Sequence, residues 1–190
     1  MNNFTKDKEQ KRLFFIALLP PTDVEKVAQE LTEEFATIYN SKHGLKSPPH
    51  VTLQPPFKWD LNQVEVLKES LENFSQNQFS IPMILDGFGS FKPRVIYINV
   101  VKTPELLSIQ NQLKLYLESN LGIIDEKQKH PSFNPHLTLA HKDLTKSNYY
   151  KAWKIYKDKS INFKFRVYQL TLLLHDEKRW KIYHNFSFQQ

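Results

Sequence analysis

Two five-residue segments constrain this chain more than any other feature: Pro49-His50-Val51-Thr52-Leu53 and Pro135-His136-Leu137-Thr138-Leu139. Side chains alternate across a β-strand, so each segment presents histidine and threonine on one face and two aliphatic residues on the other. The proline before each histidine has a fixed φ and no N–H, which suits an extended entry into a strand. A single segment of this kind is a common strand pattern. Two of them, in comparable places of similar half-units, predict an approximate twofold arrangement in which both polar strand faces meet.

The flanking sequence supports the half-units. Residues 13–19 read as a buried strand ended by Pro20-Pro21, and Thr22 or Asp23 caps a helix to about Tyr39. The first motif forms a short strand, residues 50–53, and Asp60 with Gln63 resembles a capping box for a helix bearing Leu67, Leu71 and Phe74. Strands over residues 79–88 and 94–101 follow. Thr103-Pro104 then opens another helix, with proline at its first position. After a loop that ends at Pro135 and the second motif strand, a helix over 146–156 turns Tyr149, Trp153 and Tyr156 inward. Strands near 161–166, 167–175 and 179–188 close the chain, the last two as a hairpin. Each half runs motif strand, helix, strand, strand. Strands in runs, rather than strict βαβ alternation, predict an α+β fold with antiparallel pairing.

Composition removes most other chemistries. The chain has no cysteine, which excludes disulfide scaffolds, thiolate metal sites and thiol nucleophiles, and is compatible with a reducing cytoplasm. Four glycines are too few and too scattered for a phosphate-cradling loop, and Gly87-Phe88-Gly89 lacks a third glycine. The apolar run at 13–19 is too short to span a membrane. It follows a basic stretch, as a signal peptide would, but Asp7 and Glu9 interrupt that stretch and Pro20-Pro21 stands where a small-residue cleavage site would be. A cytoplasmic protein with no membrane partner is expected. The 190 residues carry 26 Lys+Arg against 20 Asp+Glu, a formal charge of +6. Eight of the basic residues fall between Lys142 and Arg166, a local excess that attracts phosphates.

The paired motifs suit acid–base chemistry at phosphorus. Imidazole titrates near pH 6.5, so neutral and protonated rings are both accessible around neutrality. One ring can take a proton from an attacking water or hydroxyl while the other delivers one to the leaving oxygen. The threonine hydroxyls can donate to phosphoryl oxygens as charge develops there. Neither motif is H-x-H or H-E-x-x-H, so no metal or other cofactor is implied. His43 and His130 read as solvated loop residues, and His175 and His184 as parts of the terminal hairpin.

These features resemble the two-histidine (2H) phosphoesterase superfamily, in its bacterial 2′-5′ RNA ligase-like branch. The similarity rests on residues 12–20, both His-x-Thr-Leu motifs and residues 88–97, and it extends over nearly the whole chain. It implies one domain, residues 1–190, made of two intertwined lobes, with two mainly antiparallel sheets lining a central cleft and helices outside. It also implies metal-independent action on the 2′,3′-cyclic phosphates of RNA ends or nucleosides, or on 2′,5′ linkages. His50 and His136 would be the acid/base pair, and Thr52 and Thr138 would hold phosphate oxygens. Where relatives often carry arginine after the second motif, this chain has His141 followed by Lys142, replacing a guanidinium fork by a titratable ring or a mobile ammonium. After the first motif stands Gln54-Pro55-Pro56-Phe57, and Phe57 is a candidate to stack on a base, with burial the more frequent outcome for a phenylalanine. A monomer is the expected state. The competing reading is a non-catalytic nucleotide or RNA-binding module using the same cleft together with the basic segment.

Overall fold

The computed structural model describes residues 10–124 and 133–189. Eight strands and four helices follow one another as β1 (Lys11–Leu18), α1 (Thr22–Ile38), β2 (Val51–Asp60), α2 (Val64–Ser75), β3 (Ile81–Phe91), β4 (Val95–Val100), α3 (Pro104–Leu121), β5 (His136–Ala140), α4 (Lys146–Tyr156), β6 (Asn162–Val167), β7 (Gln169–His175) and β8 (Trp180–Ser187). The α+β expectation holds, and so does nearly every element read from periodicity.

The strands form one antiparallel ladder in the order β6-β3-β4-β5-β2-β1-β7-β8. The two sheets expected from the sequence are therefore joined, but by very little. The four strands of one half meet the four of the other at the pair Val51↔Leu137 of β2 and β5. Tyr168 alone separates β6, at one edge, from β7 in the opposite half, so the sheet must curl until its outer strands approach one another. A bridge between Phe79 and Gln189 ties the chain just before β3 to the chain just after β8.

Strand alternation sorts the two faces. Phe14, Ile16 and Leu18 of β1, Ile96 and Ile98 of β4, and Leu137 and Leu139 of β5 are buried in a core shared with Phe35, Leu67, Leu113 and Tyr149 of the helices. Phe15 and Ala17 point the other way and form a small second cluster with Leu173, flanked by Leu19 and Trp180. The helix-covered face is thus matched by an open face on which both motifs present their polar residues.

Local chemistry explains most element ends. Thr103 accepts from the Leu106 N–H at the start of α3, and Thr145 accepts from Asn148 N–H at the start of α4. Gly122, at φ 63°, closes α3 in the left-handed region, with its own N–H bonded to Glu118 O and that of Ile123 bonded to Leu117 O. Two sequence expectations differ. Helix α1 begins after Pro21 without a side-chain cap, and Asp60 accepts from Asn62 N–H in a short 3-10 turn (Leu61–Gln63) rather than in a capping box. Strand β2 also runs on to Asp60, through Pro55-Pro56. Register shifts on either side of the pair Ile16↔Gln54, towards Phe14↔Phe57 and towards Ala17↔Thr52, absorb two extra residues of β2 around the prolines. Because β2 pairs with β5 only at Val51, the prolines lie on a stretch of β2 with a single neighbour, where a missing N–H is tolerated.

Among the described residues no helix is long and apolar enough to cross a membrane.

Candidate active site

The pair Val51↔Leu137 is the centre of approximate symmetry. Extending that antiparallel register by one residue sets His50 beside Thr138 and Thr52 beside His136, all four on the face opposite the two aliphatic residues. The two motifs, distant in sequence, are thereby interleaved. Across the neighbouring strands the same face continues as Ala17 beside Thr52, and as Tyr97 and Asn99 beside Thr138 and His136.

Both imidazoles are held in the same way. His50 Nδ1 lies 2.8 Å from the carbonyl of Pro48, and His136 Nδ1 lies 2.8 Å from that of Asn134. A carbonyl oxygen only accepts, so each Nδ1 carries the hydrogen and each neutral ring keeps its lone pair on Nε2. Aromatic rings fix the planes. His50 packs on Phe15 at 4.7 Å between centroids, with Trp180 edge-on behind at 4.6 Å. His136 packs on Tyr97 at 5.1 Å and against Phe91 at 5.0 Å. Burial raises the Tyr97 phenol, and the side chain of Asn134, the residue whose carbonyl holds His136, opposes it.

Gly89 makes the second of these supports possible. It pairs directly with Tyr97 across β3 and β4. A β-carbon there would stand 2.6 Å from Tyr97 Cζ and 2.8 Å from its hydroxyl oxygen, so the tyrosine ring lies flat over bare backbone.

Electrostatics set the protonation of the free protein. Burial pushes His50 down to about 4, with repulsion from His136 acting in the same direction and the Pro48 hydrogen bond opposing. Burial also lowers His136, against the Asn134 hydrogen bond. Near neutrality both rings are neutral bases. An anionic ligand between them would favour protonation of one, creating the acid–base pair only when a phosphate is present.

His141 lies close by. Its ring meets that of His43 edge to face at 4.7 Å, and burial followed by His43 and Lys142 lowers it to about 4, while Asp143 opposes. His43 is therefore not the solvated loop residue expected from its polar surroundings; the tertiary fold brings its short 3-10 turn, His43–Lys46, against the end of β5. Phe57 is placed away from this group. It pairs with Phe14 on the core face, ring centroids 6.4 Å apart, where it is partly buried against the core. His130 lies outside the described residues. His184 packs on Phe186 within β8, as expected, whereas His175 packs on Trp180 and so adjoins the wall behind His50.

These lowered histidines make a stability prediction. A histidine depressed by folding binds fewer protons in the native than in the unfolded chain, so its stabilising effect is complete above the unfolded value near 6.5 and is lost as pH falls through the folded value. Between pH 6.5 and 4 the melting temperature is expected to drop, with His50 alone contributing on the order of 2 kcal/mol of the loss. Calorimetric melting over that range in His50→Gln and His141→Gln should give flatter curves than the parent.

The residues missed from sequence are Phe15, Tyr97, Phe91, Trp180 and His43. Only the alternation within β1 and β4 hinted that some of them would share the motif face.

An antiparallel sheet whose open face carries two tethered imidazoles, each with a threonine two residues on, is the candidate site of this chain. The chain belongs to the 2′-5′ RNA ligase superfamily, whose family model matches residues 20–179. Its curated relatives include proteins named "Putative phosphoesterase" from Geobacillus sp. (strain WCH70), 28% identical over 90% of this chain and 93% of the relative, and from Staphylococcus saprophyticus, 28% identical over 90% and 96%. Among solved structures it is similar to Escherichia coli LigT complexed with 3′-AMP, with a TM-score of 0.67 at 15% identity over 95% of this chain and all of LigT. The Thermus thermophilus protein TT0787 gives 0.66 at 17% identity over 93% and 97%. At these identities the solved structures establish the fold.

Proposed function

We propose that this chain is a metal-independent 2′,3′-cyclic phosphodiesterase acting on RNA ends or nucleoside cyclic phosphates. The observation that carries the reading is the matched tethering of His50 and His136, which leaves both Nε2 atoms as the available bases on one sheet face. His50, depressed to about 4, is the ring better held neutral, and is assigned as the base that takes the proton of the attacking water. His136 acquires a proton as the anionic substrate enters and gives it to the departing ribose oxygen. Thr52 and Thr138 donate to the non-bridging phosphate oxygens, bonds that strengthen as charge builds in the transition state. His141, just past the end of β5, is assigned to the substrate-binding group. When O3′ departs, the product is a 2′-phosphomonoester. Run backwards with a 5′-hydroxyl in place of water, the same steps join two ends through a 2′-5′ linkage.

Nucleotide complexes of the structurally similar LigT, with 3′-AMP and with ATP, support this substrate class, as does the phosphoesterase naming of the relatives. The absence of cysteine fits a cytoplasmic setting. The test is to incubate the purified protein, with EDTA present, with each of the four nucleoside 2′,3′-cyclic phosphates and follow products by phosphorus NMR. Appearance of 2′-phosphomonoesters is expected. Tight binding of these compounds without any product would replace the reading by that of a nucleotide-binding module.

A further inference from the structure

The approximate symmetry of the two motifs does not extend to their neighbours, and the difference falls beside His136. Across β4 and β5 the partners are Tyr97↔Thr138, Ile98↔Leu137 and Asn99↔His136. Ile98 and Leu137 are buried in the core, so Asn99 stands on the open face with His136. Directly opposed residues of an antiparallel pair have β-carbons about 5 Å apart, so both side chains can reach one atom lying over the sheet. The position opposite His50 is different in kind. Continuing the β1–β2 register one residue past Leu18↔Val51 sets Leu19 there, and Leu19 packs on the small apolar cluster of Phe15, Ala17 and Leu173.

The Asn99 amide is held in a defined orientation. Its Nδ2 donates to the Asp86 carbonyl at 3.2 Å. Asp86 is in turn tied to β6: it pairs with Asn162 and accepts at Oδ1 from the Asn162 amide at 3.3 Å. His136, Asn99, Asp86 and Asn162 thus make one polar row over β5, β4, β3 and β6. Asn99 is exposed, and among the described residues its side chain makes no other hydrogen bond. One Nδ2 hydrogen and the lone pairs of Oδ1 remain, the donor and acceptor that a hydroxyl group requires of its partner. With the Asp86 carboxylate next in the row, the place suits a neutral hydroxyl better than a second phosphate.

We infer that Asn99 binds the ribose oxygen that leaves phosphorus, forming with His136 a subsite for the sugar hydroxyl of the product. The inference rests on the proposed function for the reaction and for the role of His136. In that reaction the O3′–P bond breaks, the His136 Nε2 proton passes to O3′, and the departing oxygen ends as a hydroxyl. The free Nδ2 hydrogen of Asn99 donates to that oxygen while charge gathers on it, and Oδ1 accepts once the hydroxyl has formed. The attacking water needs no such partner, because His50 removes its proton, and the apolar Leu19 opposite His50 agrees with that. The ribose therefore lies over β4 and β5, and the water enters on the β1 side.

The test compares a nucleoside 2′-monophosphate with its 3′-deoxy analogue, which lacks only the hydroxyl in question. Calorimetry on the wild-type protein should show the hydroxylated ligand bound about 10-fold more tightly. In Asn99→Ala the two affinities should become nearly equal. On a nucleoside 2′,3′-cyclic phosphate the same variant should lose about 10-fold in kcat with KM little changed, because the bridging oxygen is a poor partner until it begins to leave. The pH profile should keep its shape, since both proton-carrying rings are untouched. Equal wild-type affinities for the two ligands would overturn the inference without recourse to a variant. A hydroxyl preference retained in Asn99→Ala would overturn it too, even if both affinities fell together, as a merely slackened His136 would make them do. Binding and turnover are read separately. Hydrolysis of cyclic phosphates with no hydroxyl preference refutes only the subsite, and a hydroxyl preference without hydrolysis refutes only the catalytic reading.

Discussion

His136→Ala is expected to lower kcat/KM for a nucleoside 2′,3′-cyclic phosphate by roughly 10³-fold or more, and His50→Ala to do the same. Each ring is asked to move a proton in the transition state, and among the described residues no other side chain on the open face is tethered with a free Nε2 in the same register. The two act as a unit, so the double variant should be little worse than either single one. Folding should survive, because both rings are only half-buried and sit on the face away from the main core, although the Pro48 or Asn134 carbonyl loses its donor. Circular dichroism checks the fold, and added imidazole should partly restore turnover in each single variant by occupying the vacated space. Undiminished hydrolysis by both variants would remove the acid–base assignment.

Gly89→Ala should both destabilise the fold and slow turnover. The added β-carbon has nowhere to go, since Tyr97 Cζ would be 2.6 Å away and the tyrosine is itself only 8% exposed. The ring must swing off β3, which costs about 1–3 kcal/mol as overpacking. It also loses its contact with His136. A histidine displaced by about an ångström costs on the order of 10²-fold in rate. The expected result is a lowered melting temperature together with a fall in kcat. In Gly89→Ala/Tyr97→Ala the clash is gone, so stability should recover in part while the rate stays low, because His136 still lacks its backing. A Gly89→Ala protein with normal melting and normal turnover would show that the stack under His136 has no part in positioning it.

That glycine illustrates what reading along the chain can and cannot do. Along the sequence, Gly87-Phe88-Gly89 is only an incomplete phosphate loop, lacking its third glycine. The use of Gly89 is steric and depends on which residue of β4 lies opposite, a matter of register. Phe57 is decided by register too: of its two readings, base stacking and burial, the register shifts around Pro55-Pro56 set it against Phe14. His43 shows an error of local reading. Its neighbours Ser41, Lys42 and Lys46 make a polar segment that reads as solvated, and only the Asp143 clasp, about a hundred residues away, brings it beside His141.

What the sequence determined by itself was everything governed by short-range periodicity. Alternation fixed which motif residues share a face, 3–4 spacing and proline placement fixed the helices, and the repeated Pro-His-x-Thr-Leu segments announced two equivalent half-sites. These depend on bond geometry within a few residues, so the chain carries them locally. The tertiary structure alone decided that the halves are welded into one curled ladder through Val51 and Leu137, which aromatic rings back each imidazole, and that His43 meets His141. Those are cross-strand and loop-to-loop contacts, set by the best simultaneous packing of distant segments, and no local pattern encodes them.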